Sequence, residues 1–414
     1  NDFMNYVMET KREIITLYSD LLSYLEDKQA SDLISSFEGL INANSYDSIK
    51  NNIPSMPKLK LEDDSKKIKD ELKKKVELLK VLVKYENTHK IRESFDLIKP
   101  YVDVIIKIIL EIDENINAYK KKYNAYEFND IAVMAIKLIE NNQNIRDEIK
   151  YSFNEIMLDE YQDTSYVRFS LIKEIIDKTN AKLMVVGDDF QSIYKFSGCC
   201  LDLFLNFEDY FDDCKVLKLE NTYRNSQGLI DLAGSFVMKN KKQIKKRLVS
   251  NKRMESPIRI VYYNDVVNDF KNLIEEVYDE FKSPIMILGR NNDDINMVID
   301  ESFSFYEDKV IYSNNEDIEM YYLTVHKAKG LEEDVVIVIN LDDRYLGFPN
   351  KINEDKILGL VSNSNETYPF AEERRLFYVA VTRTRGCCYL FSSKRKPSVF
   401  VKEMEKMIKK KRLS

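Results

Sequence analysis

The stretch "IMLDEYQDTS" at 156–165 has the pattern of a strand that ends in polar chemistry, because three apolar residues lead directly into a cluster of acids. Similar short apolar runs follow at "KLMVVGD" (182–188) and "KVLKLE" (215–220), and a helical stretch, "SLIKEIIDK" (170–178), lies between the first two. Strands that alternate with helices predict a parallel sheet with helices on its faces. We therefore expect an α/β protein.

The same alternation returns in the second half of the chain. Further strands are predicted at "IRIVYY" (258–263), "PIMILGR" (284–290), "YYLTVH" (321–326), "DVVIVINL" (334–341) and "CYLFSS" (388–393). The simplest interpretation is two α/β sheets joined near residue 225.

Residues 1–120 have a different pattern. Apolar residues recur at helical spacing in "IITLYSDLLSYL" (14–25) and "VELLKVLVKY" (76–85), and a loop containing two prolines is predicted over 51–67. We expect a helical subdomain there.

Composition limits the possible functions. The net charge of −7 over 414 residues means that any nucleic-acid contact must be a local groove. No apolar run reaches the roughly 18 residues of a membrane span. The five cysteines lack CxxC spacing, and with no visible signal peptide they suggest reduced thiols in a cytoplasm.

The acids after the first strand suggest chemistry. In open α/β sheets, ligands bind beyond the carboxyl ends of the strands, where Asp159 and Glu160 are expected. One carboxylate there can hold Mg²⁺, and its neighbour can orient an attacking water. Acids at strand ends are also common in surface turns, so this pair alone leaves both interpretations open.

Four further blocks favour the functional interpretation. They are "VVGDDFQSIYKFSG" (185–198), "LENTYRNS" (219–226), "LTVHKAKGLEEDVVIVIN" (323–340) and "EERRLFYVAVTRTR" (372–385). Together with the first stretch, and in this order, they resemble motifs II to VI of superfamily 1 helicases of the UvrD/Rep type. The resemblance covers about 125–414, and "RYLGFPN" (344–350) is similar to the bacterial DNA helicase IV branch.

The resemblance implies an architecture. It comprises two RecA-like parallel-sheet domains, the first of them incomplete, and an N-terminal helical subdomain. The implied bounds are 1–120 for the helical subdomain (a 1B-like insertion), 121–225 for the partial domain 1A, and 226–414 for domain 2A without a 2B insertion.

The resemblance also implies an ATP site. Asp159 would hold Mg²⁺, Glu160 would act on the hydrolytic water, and Gln191 would sense the γ-phosphate. Arg224 would also touch that phosphate, and Arg383 would be the arginine finger, whose planar fork matches phosphate oxygens.

Six other residues would bind the rest of the ligands. By resemblance, Tyr223 would stack on the adenine and Glu332 would hydrogen-bond the ribose, while the nucleic-acid contacts would be Tyr194, Phe196, Thr324 and His326. Tyr194 and Phe196 would be stacking platforms for bases, and Thr324 and His326 would contact the backbone of the nucleic-acid strand. Without the resemblance, the aromatic pair would be assigned to the core and surface of one turn, and the histidine to a structural role.

One element is missing. A phosphate-binding loop, GxxxxGK[ST], is expected upstream of these motifs, yet none of the ten glycines is followed by Lys. We expect the chain alone to bind ATP poorly and to hydrolyse it negligibly. Because the chain begins with Asn1, an excised portion of a longer helicase is favoured over a protein that works with a separate chain.

The predicted function is that of an ATP-dependent DNA helicase or translocase of superfamily 1A, which moves 3′→5′ on single-stranded DNA or a 3′-tailed duplex. The alternative is an ATP-gated accessory protein that remodels a partner such as RNA polymerase or a defence complex. In that case the N-terminal helices would contact the protein partner.

Overall fold

The structure is a computed structural model that describes residues 2–25, 27–57, 59, 63–179, 181–352 and 368–413. The chain forms two compact units, Asn1–Tyr126 and Glu127–Ser414. Across the described ranges, no helix combines the length and the apolar character that a membrane crossing requires.

The first unit is helical. Its helices are α1 (Asp2–Leu22), α2 (Asp27–Asn42), α3 (Tyr46–Asn51), α4 (Asp63–Leu82) and α5 (Thr88–Tyr123). The helices predicted over 14–25 and 76–85 are therefore confirmed, apart from their last residues. The loop predicted over 51–67 is shorter than expected, because α4 begins at Asp63.

Heptad spacing explains how α1 packs. Val7, Ile14 and Leu21 are seven residues apart, lie on one helix face and are fully buried. Buried apolar residues of α4, such as Leu72 and Leu79, belong to the same core cluster. Burying each such side chain contributes about 1.5–3 kcal/mol.

Helix α5 is long and differs from the others. The Asn87 side chain caps its start by accepting the Lys90 N–H (3.0 Å), and the left-handed Asn124 (φ 51°) follows its end. It carries exposed apolar side chains, with Leu97 73% and Tyr101 74% exposed. The helix continues past residue 120, the end predicted for the helical subdomain.

The second unit is α/β, as predicted. Its helices are α6 (Phe128–Asn141), α7 (Gln143–Ile149), α8 (Tyr166–Lys178), α9 (Asp202–Leu205), α10 (Gln227–Val237), α11 (Val266–Phe281), α12 (Ala371–Val381) and α13 (Val399–Leu413). Its strands are β1 (Glu155–Leu158), β2 (Lys182–Val185), β3 (Ile258–Tyr263), β4 (Ile285–Gly289), β5 (Phe303–Tyr306), β6 (Lys309–Tyr312), β7 (Met320–Thr324), β8 (Glu333–Val338) and β9 (Thr384–Ser393).

The first two strands form a small parallel sheet, in which Ile156 aligns with Leu183. One face of this sheet is exposed to solvent, with Met157 67% and Met184 56% exposed. The strand predicted over 215–220 is wrong, because that segment is irregular. Among the described residues, a neighbouring segment bonds to its backbone only at its end, where Val249 N–H donates to the Glu220 carbonyl (2.7 Å), and a strand without a paired neighbour along its length is not stable in water.

The remaining strands form a seven-stranded sheet in the order β3-β9-β8-β4-β7-β6-β5. The first five in this order are parallel, and β5 and β6 add an antiparallel edge. Every residue of β4 is buried, as expected of a strand covered on both faces. The β5–β6 hairpin was not predicted.

Candidate active site

The end of β1 presents two carboxylates. Backbone pairing continues beyond the strands, because Val186 N–H donates to the Leu158 carbonyl (2.8 Å) and Tyr161 N–H donates to the Val186 carbonyl (2.9 Å). Glu160 then adopts a left-handed φ of 51° and donates its N–H to Asp159 Oδ1 (2.8 Å). The second Asp159 oxygen accepts no hydrogen bond from the described residues.

Lys329, whose side chain is largely buried and whose role the sequence did not reveal, offsets part of the negative charge of this acid cluster. The Lys329 ammonium is 3.0 Å from Glu160 Oε2 and also contacts Asp163 Oδ2, and 7% of its side chain is exposed. Burial raises the pKa of Asp163, and the nearby ammonium opposes that shift. The only signal was the second lysine of "HKAKGLE" (326–332), which looks like any surface lysine in a charged run.

The loop after β2 brings Gln191 to Arg383. The loop starts with Gly187, where a Cβ would lie 2.5 Å from Gln162 Oε1, so a larger residue would have to displace that side chain. Gln191 Nε2 donates to Asp188 Oδ2 (2.8 Å), and Arg383 Nη2 donates to Gln191 Oε1 (3.4 Å). Two predicted site residues, 192 positions apart in sequence, are therefore in contact.

The Arg383 guanidinium is almost fully buried and points into this cluster. Its Nε donates to the Val379 carbonyl (3.0 Å), which fixes its orientation. Burial and, to a smaller extent, the charge of Arg224 lower the pKa of Arg383 to about 10, while Glu160 and Asp188 oppose the shift. A pKa of about 10 still leaves the group charged at neutral pH, so it can attract an anion.

Arg224 and Glu332 are paired with each other. Arg224 Nε donates to Glu332 Oε2, and the Arg385 guanidinium lies 3.7 Å from the same carboxylate. The hydrogen bond from Arg224 lowers the pKa of Glu332. Neighbouring Tyr223 is 79% exposed, which leaves its ring face open to solvent.

Asn225 holds the segment that carries these residues. Its buried amide Nδ2 donates to the carbonyls of Thr384 (2.6 Å) and Thr382 (3.2 Å), on either side of Arg383. Ser250 Oγ donates to the Asn225 carbonyl (2.8 Å). These bonds fix the segment bearing Arg224 against the one bearing Arg383.

Three rings form an aromatic cluster beside the acid cluster. The Phe196 ring is 74% exposed and lies edge-on to His326, with ring centres 5.3 Å apart. The Tyr194 ring centre is 6.0 Å from both of these rings, and its hydroxyl donates to the His326 carbonyl (2.9 Å). At the end of β7, Thr324 Oγ1 accepts the Lys327 N–H (3.4 Å).

Burial controls the charge of the histidine. Burial, with a smaller contribution from the Arg290 charge, lowers the pKa of His326 to about 4. His326 is therefore neutral at physiological pH, so it can contribute stacking and hydrogen bonds but no positive charge.

Helix α12 fastens the loop that carries the aromatic rings. The Glu372 carboxylate accepts the Lys195 N–H (3.2 Å), and Arg375 Nε donates to the Ser192 carbonyl (2.7 Å). Burial raises the pKa of Glu372. The loop after β2 is thus held against the helix that precedes Arg383.

Over the described ranges, no group of three or more metal-ligating side chains exists. A magnesium ion that accompanies a nucleotide needs only one or two protein carboxylates, because water and phosphate supply its other ligands. The available Asp159 oxygen fits such a site.

The second unit is thus an α/β structure in which the buried Arg383 contacts Gln191 and lies close enough to Glu160 and Asp188 to feel their charges. Residues 10–212 match the UvrD/REP helicase N-terminal domain, and residues 303–395 match the UvrD-like helicase C-terminal domain. The chain belongs to the UvrD/Rep helicase family, which confirms the resemblance.

Individual relatives agree with this assignment. The chain is 28% identical over 291 residues to DNA helicase IV of Escherichia coli, covering 69% of this chain and 40% of the relative. It is 26% identical over 294 residues to a probable DNA helicase of Mycoplasma pneumoniae, covering 68% and 53%. It is 27% identical over 280 residues to the ATP-dependent DNA helicase Rep of Buchnera aphidicola (subspecies Schizaphis graminum), covering 61% and 42%. The chain thus spans about half or less of the length of these relatives.

Proposed function

We propose that this chain is the motor portion of an ATP-dependent DNA helicase or translocase of superfamily 1A, acting 3′→5′ on single-stranded DNA or a 3′-tailed duplex. The observation that carries the proposal is the contact between Gln191 and the buried Arg383, with Glu160 close enough to influence the pKa of Arg383. A γ-phosphate bound there would meet a positive charge and an amide.

Each residue has a distinct role in hydrolysis. Asp159 would hold Mg²⁺, which supplies charge neutralisation to the phosphates. Glu160 would orient the attacking water and accept its proton, with Lys329 fixing the direction of the carboxylate. Arg383 would stabilise the charge that develops on the transferred phosphoryl group.

Nucleotide binding requires one rearrangement. Arg224 now donates to Glu332, so contacts to a γ-phosphate and a ribose would break this pair. The pair is about a third exposed on both sides, and such pairs contribute at most about 1 kcal/mol. Tyr223, with its open ring face, would stack on the adenine.

The aromatic cluster would hold single-stranded DNA. Phe196 and Tyr194 would stack on bases, each contact contributing roughly 1–3 kcal/mol regardless of sequence. His326 and Thr324 would contact the DNA backbone, with His326 as a neutral hydrogen-bonding group.

The isolated chain would lack turnover, because its 414 residues contain no GxxxxGK[ST] loop to cradle the phosphates. We expect the purified chain to bind ATP weakly and to show no hydrolysis above background, with or without single-stranded DNA. Robust DNA-stimulated hydrolysis by the purified chain would refute this part of the proposal.

Strand displacement by the complete gene product tests the motor function. A duplex with a 3′ tail should be unwound in the presence of ATP, and a duplex with a 5′ tail should not. Unwinding from the 5′ tail alone, or none from either substrate, would contradict the proposal.

A second candidate function rests on α5. Its exposed apolar residues, such as Leu97 and Tyr101, are unusual for a helix that remains in solvent. The alternative is an ATP-gated accessory protein that remodels a protein partner, such as RNA polymerase or a defence complex, through the N-terminal helices. Nucleotide-dependent binding to a protein without strand displacement would favour it.

A further inference from the structure

Lys246 connects a basic segment to the loop after β2. It belongs to 239–253, which is rich in lysine and arginine and contains no acidic residue. Its ammonium contacts both Asp188 Oδ1 and Asp189 Oδ1, and 16% of its side chain is exposed. The same ammonium is 4.2 Å from the centre of the Phe190 ring.

The two acids cannot easily stay in place without this cation. Asp189 is completely buried, and besides Lys246 it accepts the Ile244 N–H on Oδ2 (2.8 Å). Adjacent carboxylates repel each other, and a buried carboxylate without a partner is strongly destabilising. Lys246 therefore offsets both the repulsion and the burial of the second acid.

A continuous chain of contacts leads from Lys246 to the nucleotide site. Asp188 uses Oδ1 for Lys246 and Oδ2 for Gln191 Nε2 (2.8 Å). The Oε1 of Gln191 then accepts from Arg383 Nη2 (3.4 Å). The turn Asp189–Gln191 also leads directly to the aromatic residues of the DNA-contacting loop.

We propose that Lys246 is a positioning residue, which fixes the loop 188–196 so that Gln191 faces the γ-phosphate and Phe196 presents its ring to DNA. The proposal rests on the proposed function, because that function assigns the γ-phosphate to Gln191 and single-stranded DNA to Phe196. Lys246 itself would act through Asp188 and Asp189.

The protein contains no tryptophan, so the fluorescence of a single introduced tryptophan reports on that position alone. The F196W variant of the full chain places a single indole on the loop. In this background we would compare K246M with K245M, which removes the same charge from an exposed neighbouring lysine. The D189N/K246M double variant removes both partners, so that no uncompensated acid remains buried if K246M alone fails to fold.

The first measurement is tryptophan fluorescence anisotropy without DNA, at a temperature where circular dichroism shows each variant folded. K246M and the double variant should have lower anisotropy than the parent, because the indole gains local motion, and K245M should match the parent. A purely structural role would lower the melting temperature without changing the anisotropy of the folded protein. Equal anisotropy in all folded variants would overturn the proposal.

The second measurement is quenching of the indole by oligo(dT). Loss of loop positioning should weaken binding about tenfold in K246M, and K245M should change it less than about twofold. Equal weakening by both substitutions would indicate charge alone and would also overturn the proposal. If DNA does not quench the F196W parent, the DNA-binding function fails, while the anisotropy still tests Lys246 independently.

Discussion

Removing the Phe196 ring is the sharpest test of the DNA-binding role. The ring is 74% exposed, so F196A removes little buried surface and should cost about 1 kcal/mol or less in the free energy of unfolding. A lost stacking contact costs roughly 1–3 kcal/mol, which corresponds to about a 5- to 150-fold weaker affinity for single-stranded DNA.

The assay is fluorescence anisotropy of a labelled oligo(dT) titrated with the chain. F305A is a matched control, because Phe305 is also an exposed phenylalanine, 43% exposed, on edge strand β5. The salt dependence should be the same for wild type and F196A, because the substitution removes no phosphate contact. Unchanged affinity of F196A, or equal weakening by F305A, would refute the stacking role.

Three further predictions follow from the same contacts. The pKa of His326 is about 4 in the folded protein, below its unfolded value, so the folded state favours the neutral form and loses stability as pH falls from about 6.5 to about 4. In chemical denaturation, the free energy of unfolding of H326Q should therefore change with pH by about 1–2 kcal/mol less than that of the wild type. Identical pH profiles of the two proteins would contradict this prediction. In a urea titration, N225A should lower the free energy of unfolding by about 2–3 kcal/mol, because the buried carbonyls of Thr382 and Thr384 lose their donor. The control N221A, at an exposed position, should lower it by less than about 0.5 kcal/mol. In the complete gene product, R383K should reduce ATP hydrolysis at least about a thousandfold without weakening binding of single-stranded DNA, and a reduction under tenfold would exclude Arg383 as the arginine finger.

The sequence was most informative where a motif and a strand coincide. The acids at Asp159 and Glu160 were expected at a strand end and lie there, because a run of apolar residues must stop where the chain leaves the sheet. The strand over 258–263 has its predicted bounds. The contact between Gln191 and Arg383 could be expected only from the resemblance, since no periodicity relates segments so far apart in sequence.

The errors also have physical causes. An apolar run such as 215–220 has the composition of a strand, but a strand needs a neighbour for its backbone hydrogen bonds. The β5–β6 hairpin was overlooked because its strands are short and only partly buried.

The lysines of the site were harder to predict still. Lys329 and Lys246 lie largely out of solvent because carboxylates from distant segments surround them. Single-sequence reasoning treats such lysines as solvated charges. The division between 121–225 and 226–414 and the ligand roles of individual residues remain predictions.

A crystal structure of the complete gene product with Mg²⁺ and a non-hydrolysable ATP analogue would show whether the acids, Gln191 and Arg383 bind one nucleotide. We predict that Arg383 and Gln191 lie within about 3 Å of the γ-phosphate oxygens, and that Asp159 approaches the metal directly or through water. A nucleotide bound elsewhere, or an Arg383 side chain that remains turned away from the phosphates, would show that these residues do not form the ATP site.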